Sequence, residues 1–284
     1  MKNKRDYAVF ILSHERVNDI KTDKMLKKQG YSGEWFIVID DKDNQIDEYK
    51  EKYGDKLIIF SKEEVDKWTD TCDMDNDMRV GVYARNFIKK EASSRGYKYH
   101  LQLDDDFSQI TYRYIKGKKL KVKPCENLDR LFDAIAEYLD ETEITWISFG
   151  LSSYYIGGVN KNFEQGMIRK TMGSFFCNTE KMPDFLCRMN DDITTNILYT
   201  SRGHIMFTLM AMQVETPPTQ QMDGGMTDIY QENGTYRKSF YSVMVCPSFV
   251  KVSQQGIKDK RVHHETNWKA CAPMILNQKW RKKK

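Results

Sequence analysis

Short apolar runs alternate with helical stretches through the first hundred residues, and this alternation admits few folds. A run that is apolar at nearly every position is typical of a strand buried on both faces of a parallel sheet. Helices are predicted at 22–29, which Gly30 would end as a C-cap residue, and at 83–94. The runs predicted as strands are 7–12, 35–39, 56–60 and 99–103. The pattern predicts an α/β fold with a mostly parallel central sheet flanked by helices.

The second half of the chain is less regular. Gly173 interrupts one extended segment, a lysine-rich stretch at 116–123 is predicted as an exposed excursion, and loops are predicted at 216–219 and 223–225. The other predicted elements are a helix at 128–138, a strand at 145–150, the extended segment 167–177, a helix at 191–200 and a strand at 239–245. Without a repeat or a clear linker, we expect one domain over 1–278 and a basic tail at 279–284. The Rossmann-like front half of this domain, about 1–110, would bind a nucleotide. The second half, 111–278, would bind an acceptor.

Composition excludes several other classes of protein. The 284 residues are 40% hydrophobic, enough for one substantial core, and the formal net charge of +4 does not by itself indicate nucleic-acid binding. The six cysteines are scattered without a CxxC pair, which argues against a zinc ribbon. The first residues lack the apolar region of a signal peptide, and no apolar stretch is long enough to cross a membrane. We therefore expect free thiols, no membrane span and a cytoplasmic location.

Three consecutive carboxylates, Asp104, Asp105 and Asp106, follow the predicted strand 99–103. In open α/β sheets, ligands bind at the ends of strands. Adjacent carboxylates repel one another, and their hard oxygen atoms suit Mg²⁺ or Mn²⁺. The alternative is a turn or a helix cap, where aspartate is also common.

Two other predicted strands end in polar residues. Ser13 and Arg16 follow the first strand, and Asp40 and Asp41 follow the second. Because the ends of parallel strands meet at one edge of a sheet, these groups could bind a nucleotide next to the acidic triplet. The alternatives are a helix N-cap for Ser13, a surface ion pair for Arg16 and turn chemistry for Asp41.

Two later motifs add candidate catalytic and metal-binding groups. Asp191 and Asp192 follow Asn190, and one of them, with Asp192 slightly favoured, could act as a general base on an acceptor hydroxyl. The alternative is a helix start, because Asn and Asp are good caps. His263 and His264 are the adjacent histidines of the chain, and one could complete a metal shell with Asp104 and Asp106. A surface histidine pair is the alternative.

The order of these motifs resembles the GT-A glycosyltransferases, especially their family-2-like members. Leu103-Asp-Asp-Asp106 is similar to the DxD motif of that group. Asn190-Asp-Asp192 is similar to its Glu-Asp base motif, with Asp where Glu is usual, and His263 or His264 would match its late metal histidine. The Gln-x-x-Arg-Trp motif of processive synthases is absent. The segment Met172-Gly-Ser-Phe-Phe176 and the compact length resemble more closely the glycosyltransferases associated with TET/J-binding-protein oxygenases in phages.

This resemblance implies a specific reaction. The donor would be a nucleotide-diphosphate sugar, with UDP favoured, bound with Mn²⁺ or Mg²⁺ by Asp104, Asp105 and Asp106. Arg85 and Asn86, which otherwise suggest only a surface helix face, would approach the nucleotide. Transfer would invert the anomeric carbon, and the acceptor would be a hydroxymethylated pyrimidine in phage DNA, with the basic tail and 117–123 contacting phosphates.

Other readings of the sequence stay open. A glycan, a lipid-linked glycan or a protein could replace DNA as the acceptor without any change at the donor site. A non-catalytic nucleic-acid-binding protein would use the lysine runs but would leave the acidic cluster unexplained. A sugar nucleotidyltransferase is disfavoured because 7–20 contains no glycine for a phosphate loop.

Overall fold

A computed structural model describes residues 5–216, 226–256, 261–271 and 278. The strands are β1 (Tyr7–Leu12), β2 (Trp35–Asp40), β3 (Leu57–Phe60), β4 (Tyr99–Asp104), β5 (Gln109–Lys116), β6 (Lys119–Pro124), β7 (Ile144–Gly150), β8 (Met167–Ile168), β9 (Ser174–Asn178), β10 (Ile205–Glu215), β11 (Val250–Gln255) and β12 (Arg261–Thr266). The α-helices are α1 (Thr22–Lys28), α2 (Ile46–Tyr53), α3 (Lys62–Asp66), α4 (Val82–Ser94), α5 (Leu128–Glu141), α6 (Lys161–Glu164), α7 (Asp191–Ser201) and α8 (Met226–Val245).

A ten-stranded sheet forms the centre of the molecule, in the order β3-β2-β1-β4-β9-β7-β10-β5-β6, with β8 pairing to β10. The first four strands of this order are mutually parallel, as predicted. Strand β9 then runs antiparallel to both β4 and β7, and β5 runs antiparallel to β10. The expected α/β fold is confirmed, with a parallel front half and a mixed remainder of the sheet. A separate two-stranded sheet pairs β11 with β12.

The register brings three strand ends to one edge of the sheet. Leu12 at the end of β1 pairs with Val38 of β2 on one side and with Asp104 of β4 on the other. The residues that follow β1, β2 and β4 therefore emerge side by side. This is the edge at which the sequence analysis expected the polar groups to meet.

The core lies on both faces of the sheet because successive side chains of a strand point to opposite sides. Val9 and Ile11 of β1 pack in a cluster that includes residues of α1, α2 and α5. Phe10, which lies between them, packs in a second cluster with residues of α3 and α4 and with the segment 182–189. Burying each such side chain contributes about 1.5–3 kcal/mol. The continuous apolar run at 7–12 thus reflects two buried faces.

Helix α5 shows how the sequence pattern positions an element. Leu128, Phe132, Ile135 and Leu139 recur at helical spacing and are all buried. The side chain of Asn127 accepts a hydrogen bond from the Arg130 N–H at 2.9 Å and so caps the first turn. The predicted helix at 128–138 is confirmed and extends to Glu141.

One predicted element is wrong. The strand expected at 239–245 is the last part of α8. The alternation that suggested a strand also satisfies helical spacing, because Ser239, Ser242 and Cys246 are buried three and four residues apart. The Ser242 hydroxyl lies 3.0 Å from that of Thr194, so small polar residues fill this helix interface.

Other predictions were refined. Gly173, with a φ of +75°, separates β8 from β9, so the extended segment 167–177 contains two strands. The lysine-rich stretch 116–123 is exposed, as expected, but forms the tip of the β5–β6 hairpin. All six cysteines are free thiols, also as expected. The predicted loop 223–225, most of the loop 216–219 and the tail 279–284 lie outside the described residues. In the described ranges, no helix has both the length and the apolar character needed to span a membrane.

Candidate active site

Asp105 connects the end of β4 to the loop after β1. Its carboxylate accepts a hydrogen bond from the Ser13 hydroxyl at 2.6 Å and lies 3.4 Å from Nη1 of Arg16. Burial raises the pKa of Asp105, whereas the contacts with Ser13 and Arg16 lower it. Ser13 and Arg16 are therefore brought to the acidic triplet, and their side chains contact the buried carboxylate of Asp105.

Asp40 lies in a buried ion cluster at the end of β2. Its Oδ2 is 3.0 Å from Nδ1 of His14 and 2.9 Å from Nζ of Lys62. Burial opposes ionisation, but these two partners lower the pKa of Asp40 to about 2. Asp41 is exposed, and its carboxylate accepts a hydrogen bond from the Lys62 backbone N–H at 3.1 Å. Asp41 thus follows the turn alternative, while His14, which the sequence analysis did not select, joins the strand-end cluster.

Among the three aspartates of the triplet, Asp106 shows most clearly, through its pKa, the effect of neighbouring negative charges. Burial, followed by the charges of Asp104 and Asp105, raises the pKa of Asp106 to about 7. A bound cation would relieve this repulsion. Among the described residues, no group of three or more His, Cys, Asp or Glu side chains is arranged to hold a metal ion. Two carboxylates, those of Asp104 and Asp106, are enough to fit Mg²⁺, because proteins often hold this ion through one or two carboxylates together with substrate phosphates.

Arg85 of α4 joins the two acidic motifs. Its Nη2 donates to Oδ1 of Asp104 at 3.0 Å, and its Nε donates to Oδ2 of Asp191 at 3.1 Å. The guanidinium carbon lies 5.0 Å from the centre of the Phe175 ring and 5.6 Å from that of Phe185. Arg85 is buried, and its Nη1 has no hydrogen-bond partner among the described residues. One buried cation therefore fixes the end of β4 relative to the start of α7.

Asp191 and Asp192 occupy the first turn of α7, where the helix dipole favours negative charge. The preceding Asn190 is left-handed, with a φ of 53°, a conformation that asparagine tolerates better than most residues. Burial raises the pKa of Asp191, although Arg85 opposes this. Burial and then the charge of Asp191 raise the pKa of Asp192 to about 7. Asp192 thus has the pKa expected of a general base that works near neutral pH.

The histidine pair lies beside the Asn190–Asp192 segment. Nδ1 of His264 is 3.2 Å from the amide nitrogen of Asn190, which also donates to the Lys238 carbonyl at 2.8 Å. Burial, followed by the charge of His263, lowers the pKa of His264 to about 3, so the imidazole is neutral. Neutral imidazole is the form of histidine that binds metals, and the assignment of His263 or His264 as a metal ligand stays a prediction. The ring of His263 stacks on that of His264 at 4.3 Å.

Asn86 has the contacts of a structural residue. It is fully buried, its side-chain oxygen accepts from the Phe185 N–H at 2.7 Å, and its amide donates to the Phe185 carbonyl at 3.0 Å. These bonds hold the backbone of a residue whose ring lies against Arg85. The contacts support a structural role for Asn86, and its predicted approach to a nucleotide stays a prediction.

A second charged cluster, which the sequence analysis missed, includes a residue of the segment that precedes α7. Arg188 is almost fully buried, and its guanidinium donates to the carboxylate of Asp73 from Nε at 3.0 Å and from Nη2 at 2.9 Å. The hydroxyl of Tyr241 on α8 donates to the same carboxylate, and Arg237 pairs with Asp75. We call these five residues the Arg188 clasp. A sequence gives little signal for such a cluster, since acids at 70–77 suggest only a polar loop.

The parallel front half of the sheet and two acidic motifs that share one buried arginine form the candidate site. The chain belongs to the TET-associated glycosyltransferase family, whose model matches residues 7–225. The resemblance predicted from the order of the motifs is thereby confirmed, and the protein is an enzyme of this class. No curated protein matches the chain.

Several solved protein structures are similar to this chain. Glucosyl-3-phosphoglycerate synthase from Mycobacterium tuberculosis, solved with Mg²⁺ and UDP, is 10% identical, with a TM-score of 0.47 over 92% of this chain and 88% of that chain. The mannosyltransferase PcManGT from Pyrobaculum calidifontis, solved with GDP-Man and Mn²⁺, is 10% identical, with a TM-score of 0.46 over 87% and 73%. TarS 1–349 from S. aureus is 15% identical, with a TM-score of 0.42 over 73% and 59%.

Proposed function

We propose that the protein is a metal-dependent inverting glycosyltransferase that moves a sugar from a nucleotide-diphosphate sugar to a hydroxymethylated pyrimidine in DNA. The observation that carries this proposal is the position of Arg85, which contacts both Asp104 and Asp191. A donor-binding group and a base must lie within the reach of one sugar for direct displacement. The shared guanidinium supports that proximity.

Asp192 acts as the general base. The acceptor O–H bond breaks and its proton moves to the Asp192 carboxylate, while the oxygen forms a bond to the anomeric carbon. The bond from that carbon to the diphosphate breaks at the same time, and its electron pair leaves with the nucleotide. Attack from the face opposite the leaving group inverts the configuration. An alkyl hydroxyl is a weak nucleophile until it loses its proton, so a base with a pKa near 7 suits this step.

Asp104 and Asp106 would hold Mn²⁺ or Mg²⁺ next to the donor diphosphate. The cation, when bound, supplies Lewis-acid stabilisation of the charge on the departing nucleotide. Ser13, Arg16 and Asp105 form the adjacent wall, and Asp40 faces the nucleoside of a UDP-linked donor. The ion pairs of Asp40 with His14 and Lys62 keep this carboxylate charged at neutral pH, which suits hydrogen bonds from a base or a ribose.

The family supports DNA as the acceptor, because its members are named for their association with TET oxygenases. Such oxygenases would supply the hydroxymethyl group on which the transferase acts. The cytoplasm, where DNA and nucleotide sugars are both present, is the location that this reaction requires.

A transfer assay tests the proposal. The protein is incubated with labelled nucleotide sugars and Mn²⁺, with hydroxymethylated or unmodified DNA of the same sequence as acceptor. We expect label only on hydroxymethylated DNA, and its loss when EDTA is present. Label on a glycan or protein acceptor alone would reject DNA as the acceptor, and the absence of transfer from every donor would reject the whole proposal.

A further inference from the structure

The β5–β6 hairpin has two chemically different faces. The pairs Tyr112 with Lys123, Tyr114 with Lys121, and Lys116 with Lys119 lie directly opposite each other across the antiparallel ladder. Residues that are directly opposite share a face, and alternate residues of a strand return to it. One face therefore carries six residues, which we call the Lys–Tyr face: Tyr112, Tyr114, Lys116, Lys119, Lys121 and Lys123.

The other face of the hairpin turns toward the protein. Arg113 donates to the side chain of Gln213, and its guanidinium lies 4.7 Å from the centre of the Tyr155 ring. Leu120 packs against a buried cluster around Tyr154 and Tyr155. These contacts fix the orientation of the hairpin, although Ile115 and Val122 stay exposed near its turn. The Lys–Tyr face is consequently directed to solvent, and Tyr114 is 44% exposed.

The Lys–Tyr face is strongly positive and weakly neutralised. Lys123 lies 3.6 Å from Glu126, whereas Lys116, Lys119 and Lys121 form no ion pair with any residue that the structure describes. Alternate residues of a strand lie about 6.7 Å apart. Each phosphate of one DNA strand advances about 3.4 Å along the helix axis, so two steps cover about 6.8 Å, which is close to this spacing. Exposed tyrosine rings next to lysines add surfaces for contact with sugars and bases.

The hairpin also begins close to the candidate active site. Strand β5 starts at Gln109, only a few residues after Asp106, and β6 is the edge strand of the sheet. The major groove of duplex DNA admits a two-stranded ribbon, and it displays the substituent at C5 of a pyrimidine. A ribbon in that groove would bring the modified base to the strand ends that hold the acidic triplet.

We propose that the Lys–Tyr face is the surface that binds duplex DNA, with the ribbon in the major groove and its lysines on the phosphates. This inference rests on the proposed function, since it identifies the part of the molecule that holds the acceptor. Polar β-ribbons of this kind bind through phosphate contacts, so affinity should fall steeply as salt increases.

Charge-neutralising variants test the surface. We compare the wild-type protein with Lys116→Gln/Lys119→Gln/Lys121→Gln, using the fluorescence anisotropy of a short hydroxymethylated duplex over a series of salt concentrations. We expect Kd to rise at least about 10-fold and the slope of log K against log salt to shrink by roughly 2 to 3, as three phosphate contacts are lost. Tyr114→Ala should weaken binding without changing that slope.

A matched control removes the same charge elsewhere. Lys50, Lys67 and Lys98 are exposed lysines whose surface ion pairs contribute little to stability. Lys50 and Lys67 also lie near β3, at the opposite edge of the sheet from β6. The corresponding triple glutamine variant should retain wild-type Kd and salt slope. Hydrolysis of the donor sugar, measured without DNA, should be unchanged in both triple variants, because neither set of lysines belongs to the donor site.

Failure of this inference can be distinguished from failure of the proposed function. Unchanged binding and an unchanged salt slope in the Lys116/Lys119/Lys121 variant would overturn the DNA-binding role of the Lys–Tyr face even if sugar transfer to DNA occurs. Equal loss in the control variant, tighter binding of single strands than of duplex, or equal binding of anionic vesicles would also overturn it. Transfer to a hydroxymethylated nucleoside by the same variant would show that the proposed function stands independently.

Discussion

Arg85 makes two ion pairs from a single buried side chain, and this double role gives a prediction at the scale of one residue. Replacing it with leucine would leave Asp104 and Asp191 partly buried without their cation. Removing one member of a buried ion pair costs about 3–5 kcal/mol. We expect Arg85→Leu to lower the free energy of unfolding by that order and to abolish transfer, as measured by urea denaturation and by the DNA assay.

Arg85→Lys separates charge from geometry. It keeps the positive charge but loses the planar fork that reaches both carboxylates, so we expect a fold close to wild type and a kcat reduced on the order of 10²-fold. Arg95→Gln is the control, because Arg95 pairs with Glu91 on the exposed end of α4 and should cost under about 1 kcal/mol. Full activity in Arg85→Lys would show that the two-carboxylate contact has no catalytic consequence.

Asp192 gives a prediction about pH. The groups that act on this carboxylate are Asp191, Arg85, Lys238, Lys170 and Tyr154. Because burial and Asp191 raise its pKa to about 7, Asp192 is protonated below that pH and cannot accept a proton from the acceptor. We therefore expect kcat/KM to rise with pH up to about 7 and then to level off.

Substitutions at the two aspartates distinguish them. Asp192→Asn should lose the rising limb of the pH profile and on the order of 10²-fold in kcat. Asp191→Asn should weaken the ion pair with Arg85 and destabilise the fold. It should keep the limb but move it to lower pH, because the charge of Asp191 raises the pKa of Asp192. A pH profile that keeps its limb in Asp192→Asn but loses it in Asp191→Asn would exchange the two roles.

At the scale of elements, the Arg188 clasp holds the loop 70–79 and α8 against the segment before α7. We expect Arg188→Leu to cost about 3–5 kcal/mol in urea denaturation, because it leaves the carboxylate of Asp73 without its main cation. Arg79→Gln removes an exposed pair with Asp77 in the same loop and should cost under about 1 kcal/mol. Similar losses in the two variants would mean that burial of the clasp adds nothing to stability.

The elements that were predicted up to residue 104 agree with the structure within one or two residues, whereas α2 and α3 were not predicted. Strand β1 is buried on both faces, so every position must be apolar and the signal does not depend on partners. Strand β10 was missed. It is rich in methionine and its burial alternates along much of its length. Both features depend on what packs beside the strand, so the sequence of the strand alone does not identify it. Helix α8 was misread at 239–245 because small residues at a helix interface resemble an alternating strand.

The same contrast holds at the site. The acidic triplet and the Asn190–Asp192 motif were identified from sequence because aspartates concentrate at ends of elements, where chain position alone is informative. The link through Arg85, the ion cluster of Asp40 and the structural role of Asn86 depend on residues far apart in the chain. Only tertiary packing brings such residues together, so no local pattern predicts them.

At the scale of the whole molecule, donor binding should be visible as stability. A ligand at about 100 times its Kd adds about 2.7 kcal/mol to the folded state. With an unfolding entropy of about 2.1 cal/mol/K per residue, that corresponds to a rise in Tm of about 5 °C for a chain of this size. We expect UDP with Mn²⁺ to give this shift in a thermal unfolding experiment, and UDP with EDTA to give little.

Variants of the triplet provide the control for that measurement. Asp104→Asn and Asp106→Asn should each lose most of the Mn²⁺-dependent shift. Asp41→Asn should keep it, because the Asp41 side chain is exposed and contacts the start of α3. A full shift in both triplet variants would locate the cation somewhere else.

Arg85 connects α4 to both β4 and α7 through two ion pairs, and this has a consequence for how such enzymes diversify. The strand end that carries Asp104 and the helix start that carries Asp191 share one arginine, so neither can be exchanged between relatives as an independent module. A chimera that joins a foreign segment after residue 110 would need an aspartate, and a helix start, placed to meet Arg85. Recombination within this fold should therefore tolerate junctions in the exposed hairpin only when the arginine and its distant carboxylate are inherited as a matched pair.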